Sequence, residues 1–209
     1  MTPGDLNVAI IISGYPSCGK TTLAVSRLRA LMAAGPAYVI CHDPRHDLSR
    51  KAPDVTRRHA SEADADRSLA DPTSATGLHC LDVADPMRVM LYAHGVARRA
   101  APLGIPTYLY LDECSALRGM SPSHLDPVVG ELYLGRRHEL IGYVMATQRL
   151  QILHPAILEN ASELVVFRTK RASQLRRLEE LGLEEIHPGI LDLIATLPDH
   201  HHISVDPNG

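Results

Sequence analysis

The sequence predicts an α/β fold in which a mainly parallel β-sheet carries helices on both faces. Short apolar runs alternate with helix-compatible segments along most of the 209 residues, and such alternation is typical of right-handed βαβ crossovers. The apolar runs are continuous, as expected for strands that are buried on both faces. A glycine-containing loop also joins the first run to the first helical segment.

The first elements follow from these signals. Residues 6–13 read as a buried strand, and a helix is expected from Thr22 to about Ala33, where Gly35 and Pro36 stop it. Further strands are expected at residues 37–42, 78–83, 107–113, 140–147, 163–168 and, more weakly, 201–205. Further helices are expected at 86–100, 123–139, 154–160 and 170–181, and residues 190–197 fit either a helix or a strand.

Proline and glycine set several boundaries. Pro86 lies in the first turn of its helix, Pro122 is expected to lead into the helix at 123–139, and Gly182 ends the helix at 170–181. Residues 45–76 are polar and rich in charges of both signs. We expect mostly loop there, at the sheet edge, with a short helix over residues 61–69.

The length and composition of the chain limit the classes of protein to which it can belong. The chain is long enough for one α/β domain over residues 1–209, with 45–76 as a polar insertion and 183–209 as a short C-terminal extension. No apolar run approaches the ~20 residues of a membrane span, and no basic signal-peptide region begins the chain. The four cysteines are irregularly spaced, which argues against zinc and disulfides. A net charge of −3 argues against a tight monomeric DNA binder. It argues less strongly against a ring whose lumen gathers positive charge from several subunits.

The loop after the first strand carries a phosphate-binding motif. Its residues are Gly14, Tyr15, Pro16, Ser17, Cys18, Gly19, Lys20 and Thr21, which fit G-x-x-x-x-G-K-[ST] between a strand and a helix. Backbone N–H groups of such a loop form a nest for phosphate oxygens, and the helix that follows, which begins around Thr22, directs its positive end at them. We expect Lys20 to reach the β- and γ-phosphates of ATP and Thr21 to ligate Mg²⁺. This is a Walker A motif and predicts a P-loop NTPase fold.

Two acidic residues and a glutamine are candidates for the residues that would carry out ATP hydrolysis. Asp112 and Glu113 end a buried strand at the edge where open α/β sheets bind ligands. Asp112 is expected to hold Mg²⁺ through water, and Glu113 to act as general base toward the attacking water. Gln148 ends the strand at 140–147 and offers both a donor and an acceptor to the γ-phosphate. Taken alone, Gln148 also fits a simple strand cap.

The segment GRRHELIGYVMATQR (135–149) resembles the region of the sensor glutamine in the FtsK–HerA superfamily of DNA-pumping ATPases, and ILENASELVVFR (157–168) continues the likeness. With both Walker motifs, the resemblance covers roughly residues 7–168. Residues 78–83 supply a strand between the two motifs in sequence, as in the RecA-like, additional-strand (ASCE) branch, where the two motif strands are not neighbours. Leu150 departs from the proline that this family often has after Gln-Arg.

The resemblance implies a hexameric or similar ring that hydrolyses ATP between subunits, with an arginine supplied in trans. Arg137 is the first candidate by position and Arg136 the second, with Arg149 and Arg168 as further alternatives. For the Arg136–Arg137 pair, complementation of a helix dipole is an equally good interpretation.

The chain's size leaves room for the motor alone, as in the genome-packaging ATPases of tailless, internal-membrane viruses. This implies double-stranded DNA as partner and contacts with capsid, portal or membrane proteins, without membrane insertion of the chain itself. The expected location is the cytoplasm of an infected cell or the packaging vertex of a virion.

Two basic clusters are candidates for DNA contact, which would be independent of sequence and dependent on salt. The first is Arg45, Arg50, Lys51, Arg57 and Arg58, although a solvated loop is the more ordinary interpretation. The second is Lys170, Arg171, Arg176 and Arg177. The run His200-His201-His202 fits a solvated edge better than a metal site.

Other functions stay open at this point. Conjugation and plasmid-transfer ATPases share the same core motifs. A small P-loop kinase is a second enzyme class, although kinases lack the Asp-Glu and Ala-Thr-Gln arrangement and carry an arginine-rich lid. A non-hydrolysing ring or assembly factor is a third.

Overall fold

The computed structural model describes residues 8–71, 75–117, 120–137 and 139–207, without the side chain of Arg137. Within these residues the strands are β1 (Ala9–Ser13), β2 (Tyr38–His42), β3 (Thr56–His59), β4 (Leu78–Leu81), β5 (Thr107–Leu111), β6 (Met120–Ser121), β7 (His124–Leu125), β8 (Ile141–Thr147), β9 (Glu163–Phe167) and β10 (His202–Val205). The helices are α1 (Lys20–Ala33), α2 (Asp47–Lys51), α3 (Glu62–Ala70), α4 (Pro86–Ala100), α5 (Pro127–Leu134), α6 (Pro155–Glu159), α7 (Ala172–Glu180), α8 (Leu183–Ile186) and α9 (Ile190–Thr196).

The described residues form an eight-stranded sheet in the order β10-β9-β1-β8-β5-β2-β4-β3, beside a small β6-β7 hairpin. Every pair in the large sheet is parallel except β9–β10. The predicted mainly parallel α/β fold is therefore confirmed. The strands that precede the two motifs, β1 and β5, are not neighbours, because β8 lies between them. The strand at 78–81, β4, does not lie between β1 and β5. It pairs with β2 on the side of β2 that faces away from β5.

The sheet is buried on both faces, which explains the continuous apolar runs. Along β1, Ile10 and Ile12 pack with α1 and α2 on one face. Ala9 and Ile11 point to the other face and join a core with α3, α4, α5 and α7. None of the helices in the described ranges is long and apolar enough to cross a membrane.

Two stretches differ from the sequence-based prediction. Residues 45–76 were expected to be mostly loop with a short helix over 61–69. Helix α3 (Glu62–Ala70) confirms that helix, but the stretch also contains α2 and the edge strand β3, which pairs with β4. The predicted helix at 123–139 is wrong over its first residues, which belong to the β6-β7 hairpin. The helix begins instead at Pro127, because the Asp126 side chain accepts a hydrogen bond from the backbone N–H of Val128 at 2.8 Å.

The C-terminal residues also belong to the sheet. Residues 190–197, left open by the sequence, contain helix α9. Strand β10 pairs antiparallel with β9, the neighbour of the P-loop strand. The segment that leads into β10 is thereby held at the side of the P-loop.

Candidate nucleotide-binding site

The P-loop joins β1 to α1 in a conformation that exposes its backbone N–H groups. Ser17 and Gly19 have positive φ angles of 64° and 111°, and the left-handed region is strained for a serine. Such turns are how backbone N–H groups are directed into one concavity. With α1 beginning at Lys20, the loop is formed as an anion site at a helix N-terminus.

Lys20 is folded back into this loop. Its ammonium donates to the carbonyl oxygens of Gly14 and Tyr15, both at 2.9 Å, and the residue is 9% exposed. Burial lowers the pKa of Lys20 from its ordinary value, whereas the nearby Glu113 and Asp112 carboxylates act in the opposite direction. Phosphate oxygens entering the loop would give this ammonium an anionic partner.

Gly14 is required by close packing under the loop. A Cβ at this position would lie 2.5 Å from the Cys18 sulfur and 2.8 Å from Cβ of Phe167. Phe167, the chain's single phenylalanine, ends β9 and is 2% exposed. The floor of the P-loop is therefore built by the strand that follows the sensor region.

Asp112 lies opposite Thr21 at the end of β5. Its Oδ1 accepts hydrogen bonds from the Tyr110 hydroxyl at 2.8 Å and the Thr21 hydroxyl at 3.5 Å. The carboxylate is 4% exposed. A hydroxyl and a buried carboxylate that face each other are hard oxygen donors of the kind Mg²⁺ prefers. The two residues predicted as magnesium ligands are thus brought together, and their chemistry fits the ion.

Glu113 is held by three donors. Oε1 accepts from the Thr147 hydroxyl at 3.0 Å and from the Ser115 hydroxyl, and Oε2 accepts from the backbone N–H of Gln148 at 3.1 Å. These contacts tie the end of β5 to the end of β8. The carboxylate is fixed in orientation, as a general base must be.

Gln148 lies between Glu113 and helix α7. Its backbone N–H binds Glu113, and its carbonyl oxygen accepts from the side-chain amide of Gln174 at 2.7 Å. Gln174 is 3% exposed. Arg177, one turn further along α7, donates to the carbonyl of Leu153 at 2.8 Å. Helix α7 therefore clamps the sensor segment by its backbone and leaves the half-buried Gln148 side chain for other contacts.

Two openings meet at the P-loop. One is a cleft of about 250 Å³ lined by Ser17, Gly19, Lys20, Thr21, Thr22, Asp47 and Lys51. The other has a volume of about 400 Å³ and is lined by Cys18, Gly19, Thr22, Leu23, Ser26, Phe167, His200 and His202. The sheet order places Asp112 on one side of β1 and Phe167 on the other. The second cavity therefore opens on the side away from the two acids.

The segment before β10 is fixed against the loop. The His200 ring donates from Nδ1 to the carbonyl of Cys18 at 3.2 Å, and the Tyr15 hydroxyl donates to Asp199 at 3.1 Å. Arg168 pairs with the same Asp199 carboxylate. All three histidines of the run are exposed, as expected for a solvated edge, and no cluster that could hold a metal occurs among the described residues.

The arginines proposed to act in trans differ in position. The Arg137 side chain lies outside the part of the chain that the structure describes. Arg136 is 1% exposed, donates to the carbonyls of Tyr133 and Asn160, and lies 4.6 Å above the Tyr133 ring. This burial does not suit a residue that must reach a neighbouring subunit. Arg149 is exposed, and Arg168 is engaged with Asp199 of its own chain.

The two basic clusters are less uniform than the sequence indicates. In the first, Arg45, Arg50 and Arg58 each pair with a carboxylate, at Asp112, Asp47 and Asp82, respectively. In the second, Arg177 faces the interior and binds Leu153 and Glu180. Lys170, Arg171 and Arg176 are exposed on or beside α7. Lys51 and Arg57 of the first cluster are exposed as well, but the exposed cations of the second cluster lie together on or beside α7.

Comparison with known structures identifies the fold. The genome packaging NTPase B204 from Sulfolobus turreted icosahedral virus 2, in complex with ATP-gammaS, superposes with a TM-score of 0.74 at 19% identity, covering 100% of this chain and 94% of B204. Its complex with AMPPCP gives 0.76 at 18% identity, over 98% and 94% of the two chains. B204 from Sulfolobus Turreted Icosahedral Virus, the DNA-packaging ATPase, gives 0.71 at 17% identity over 97% and 93%. This chain has the fold of B204. No family model matches the sequence, and no curated protein gives a significant match.

Sequence reasoning missed several residues of the site. Thr147 directly precedes Gln148, and Ser115 follows Glu113 by two positions. This closeness in sequence to predicted site residues could have identified both. Gln174 lies 26 residues from Gln148, and Asp199 lies 184 residues from Tyr15. No motif marks either of them. Arg45 was a member of a candidate DNA-contacting cluster for which a solvated loop was the more ordinary interpretation, whereas the structure places its guanidinium 3.6 Å from Asp112.

Proposed function

We propose that this protein is an ATP-hydrolysing translocase of double-stranded DNA that packages a viral genome as a subunit of a ring. The observation that carries the proposal is the arrangement of Lys20, Thr21, Asp112 and Glu113. Asp112 faces Thr21 at the carboxyl end of β5, and the adjacent Glu113 is held in place by Ser115, Thr147 and Gln148. The B204 fold, seen with bound ATP analogues, supports the same conclusion.

Each residue has a role in hydrolysis. Lys20 and the loop N–H groups bind the phosphates, and Thr21 and Asp112 hold Mg²⁺, which neutralises phosphate charge when bound. Glu113 accepts a proton from water as the water oxygen attacks the γ-phosphorus. The bond to the bridging oxygen breaks, and its electron pair leaves with ADP. We assign the water to Oε2 of Glu113, the oxygen with fewer donors among the described residues, and the γ-phosphate contact to the Gln148 side chain.

The nucleobase belongs in the cavity beside Phe167 and His202. Phosphates at Lys20 and Thr21 place the γ end toward Asp112, so the base must extend to the opposite side of β1. The 400 Å³ cavity shares Gly19 and Thr22 with the phosphate cleft and continues in that direction. The exposed His202 ring offers aromatic surface to a nucleobase, and the buried Phe167 ring supports it, with 5.1 Å between the two centroids.

DNA contact is assigned to the exposed cations Lys170, Arg171 and Arg176. They are carried by the segment and helix whose buried face binds the backbone of Gln148 through Gln174. DNA bound there has a direct route to the catalytic centre. Neutralising the three with glutamine is expected to reduce the salt slope of DNA binding by about 2–3. Neutralising the ion-paired, exposed Arg67, Arg88 and Arg99 is the matched control, and equal slopes for both triple variants would contradict the assignment.

Completion of the site by a neighbour is the basis for the ring. We assign Arg137 as the arginine that reaches the γ-phosphate of the adjacent subunit. Mixing Arg137→Ala with wild-type subunits should depress turnover more than simple dilution does, and unchanged turnover would contradict the assignment.

The experiment for the function as a whole is steady-state ATP hydrolysis with and without double-stranded DNA. Wild-type protein should hydrolyse ATP and respond to DNA with several-fold stimulation, and Lys20→Ala should do neither. Phosphate transfer to a small acceptor would indicate a kinase instead. ATP binding without turnover would indicate an assembly factor.

A further inference from the structure

Arg45 reaches Asp112, the carboxylate proposed to hold magnesium. Its guanidinium is 3.6 Å from Oδ2 of Asp112, the oxygen not used by Tyr110 and Thr21. The Asp112 side chain is 4% exposed, whereas that of Arg45 is 56% exposed. A buried carboxylate thus has a cationic partner that reaches it from solvent.

The backbone that carries Arg45 is fixed. Asp43, at the end of β2, accepts from the backbone N–H groups of Asp47 at 2.8 Å and Leu48 at 3.0 Å. The backbone N–H of His46 also donates to the carbonyl of Asp43 at 3.1 Å. Three hydrogen bonds therefore hold the backbone of this turn, whereas the long Arg45 side chain is more than half exposed.

The position of Arg45 conflicts with a loaded site. The metal ion expected between Thr21 and Asp112 would put a second positive charge beside Arg45. Lys20 carries a further positive charge in the same site, and the Arg45 charge acts to lower the pKa of Lys20. Terminal phosphate oxygens are the anionic groups that would enter at this point, and a guanidinium binds phosphate through paired hydrogen bonds.

From this geometry, and resting on the nucleotide site proposed above, we propose that Arg45 exchanges partners during the cycle. In the empty site it pairs with Asp112 and compensates the buried charge. In the loaded site it leaves Asp112 and binds the terminal phosphate of the triphosphate within its own chain. Arg45 therefore discriminates nucleoside triphosphate from diphosphate.

Equilibrium binding tests this exchange without turnover. Dissociation constants are measured by calorimetry for AMPPCP and for ADP, each over a magnesium titration, with wild type, Arg45→Gln and Arg45→Lys. Arg67→Gln is the matched control, since Arg67 is an exposed arginine paired with Asp64 on α3.

Arg45→Gln should weaken AMPPCP binding about 10- to 100-fold, the effect of losing a charged hydrogen bond, and leave ADP binding nearly unchanged. In Arg45→Gln, the magnesium concentration needed for ADP to bind should fall, because no arginine competes with the ion for Asp112. Arg45→Lys, which keeps the charge, should be intermediate and covers the case in which the glutamine variant does not fold. Equal effects on both nucleotides, or no effect on either, would overturn the proposal. Failure of wild type to bind either nucleotide would instead refute the nucleotide site itself.

Discussion

The backbone N–H of Gln148 donates to Oε2 of Glu113 at 3.1 Å, so the residue proposed as sensor holds the proposed general base through its main chain. The ends of β5 and β8 are locked together at this point, because Thr147 also binds Glu113. Any movement of the sensor segment must therefore move the base.

Replacing Glu113 by glutamine should remove hydrolysis and spare binding. The amide cannot take the proton of the attacking water, so single-turnover rates should fall by about 10²- to 10⁴-fold. ATP affinity, measured by calorimetry, should stay within a few-fold of wild type. The control is Glu131→Gln on the exposed face of α5. Hydrolysis that survives in Glu113→Gln would mean that another group is the base.

The Gln174→Ala variant should lose communication between DNA and the site. It leaves the Gln148 carbonyl without its amide partner, so basal turnover should persist while stimulation by DNA falls. Ser173→Ala, at an exposed neighbouring position on α7, is the control. The ratio of turnover with and without DNA is the measurement, and a wild-type ratio in Gln174→Ala would exclude this route.

His202 lines the cavity proposed for the nucleobase, so its loss should weaken the binding of nucleotide but not the binding of phosphate groups alone. His202→Ala removes a ring beside Phe167 and should weaken ATP binding by about 1–2 kcal/mol. Affinity for inorganic tripolyphosphate should not change. His201→Ala, next to it in sequence, should bind both ligands as wild type does. A parallel loss of tripolyphosphate binding would place His202 at the phosphates.

Gly14→Ala should destabilise the protein. The added methyl group meets Cys18 and Phe167 at distances that side chains do not tolerate, which costs about 1–3 kcal/mol. Gly95→Ala on α4 has only an ordinary contact at 3.7 Å and should stabilise by up to about 1 kcal/mol. The measurement is the urea concentration at the midpoint of unfolding for both variants and wild type. An unchanged midpoint in Gly14→Ala would show that the packing under the P-loop can accept a methyl group.

Stability should fall in mild acid because of a buried histidine pair at the sheet edge. His59 donates to Nδ1 of His79 at 3.1 Å, and His79 donates to the carbonyl of Ala75 at 3.0 Å, so the bond between the rings requires His79 to be neutral. Burial lowers the pKa of both rings, that of His79 to about 4. The unfolded chain then binds more protons between pH 6.5 and 4.

The free energy of unfolding should therefore decrease as the pH falls through this window, by on the order of 2 kcal/mol. Replacing both His59 and His79 by phenylalanine should make that pH dependence less steep, while His42 and His94, whose pKa burial also lowers, keep the remainder. An unchanged slope in the double variant, measured by urea unfolding at several pH values, would assign the effect to other groups.

The sequence predicted the parallel sheet and the residues of the two motifs, because buried strands and the P-loop have strong local patterns. It failed at β3, where Thr-Arg-Arg-His looks like a polar loop. The edge position explains this, since Arg58 reaches Asp82 instead of packing in a core. It also failed at Pro122, which lies in the turn of a hairpin and not at a helix start.

The remainder of the site depends on tertiary contacts. Gln174 and Asp199 reach the sensor and the P-loop only because α7 and β10 fold back onto the sheet. Arg45 looked like one member of a basic loop, and its partner Asp112 lies 67 positions further along the sequence. Such pairings have no periodicity or spacing that a single sequence reveals.

The central claim is that hydrolysis at Glu113 drives movement along DNA, and strand displacement from a triplex tests it most directly. A third strand is annealed to linear double-stranded DNA, and its release is followed with ATP, with AMPPCP and with Glu113→Gln. The account predicts release by wild type with ATP alone. ATP turnover stimulated by DNA without release of the third strand would contradict it.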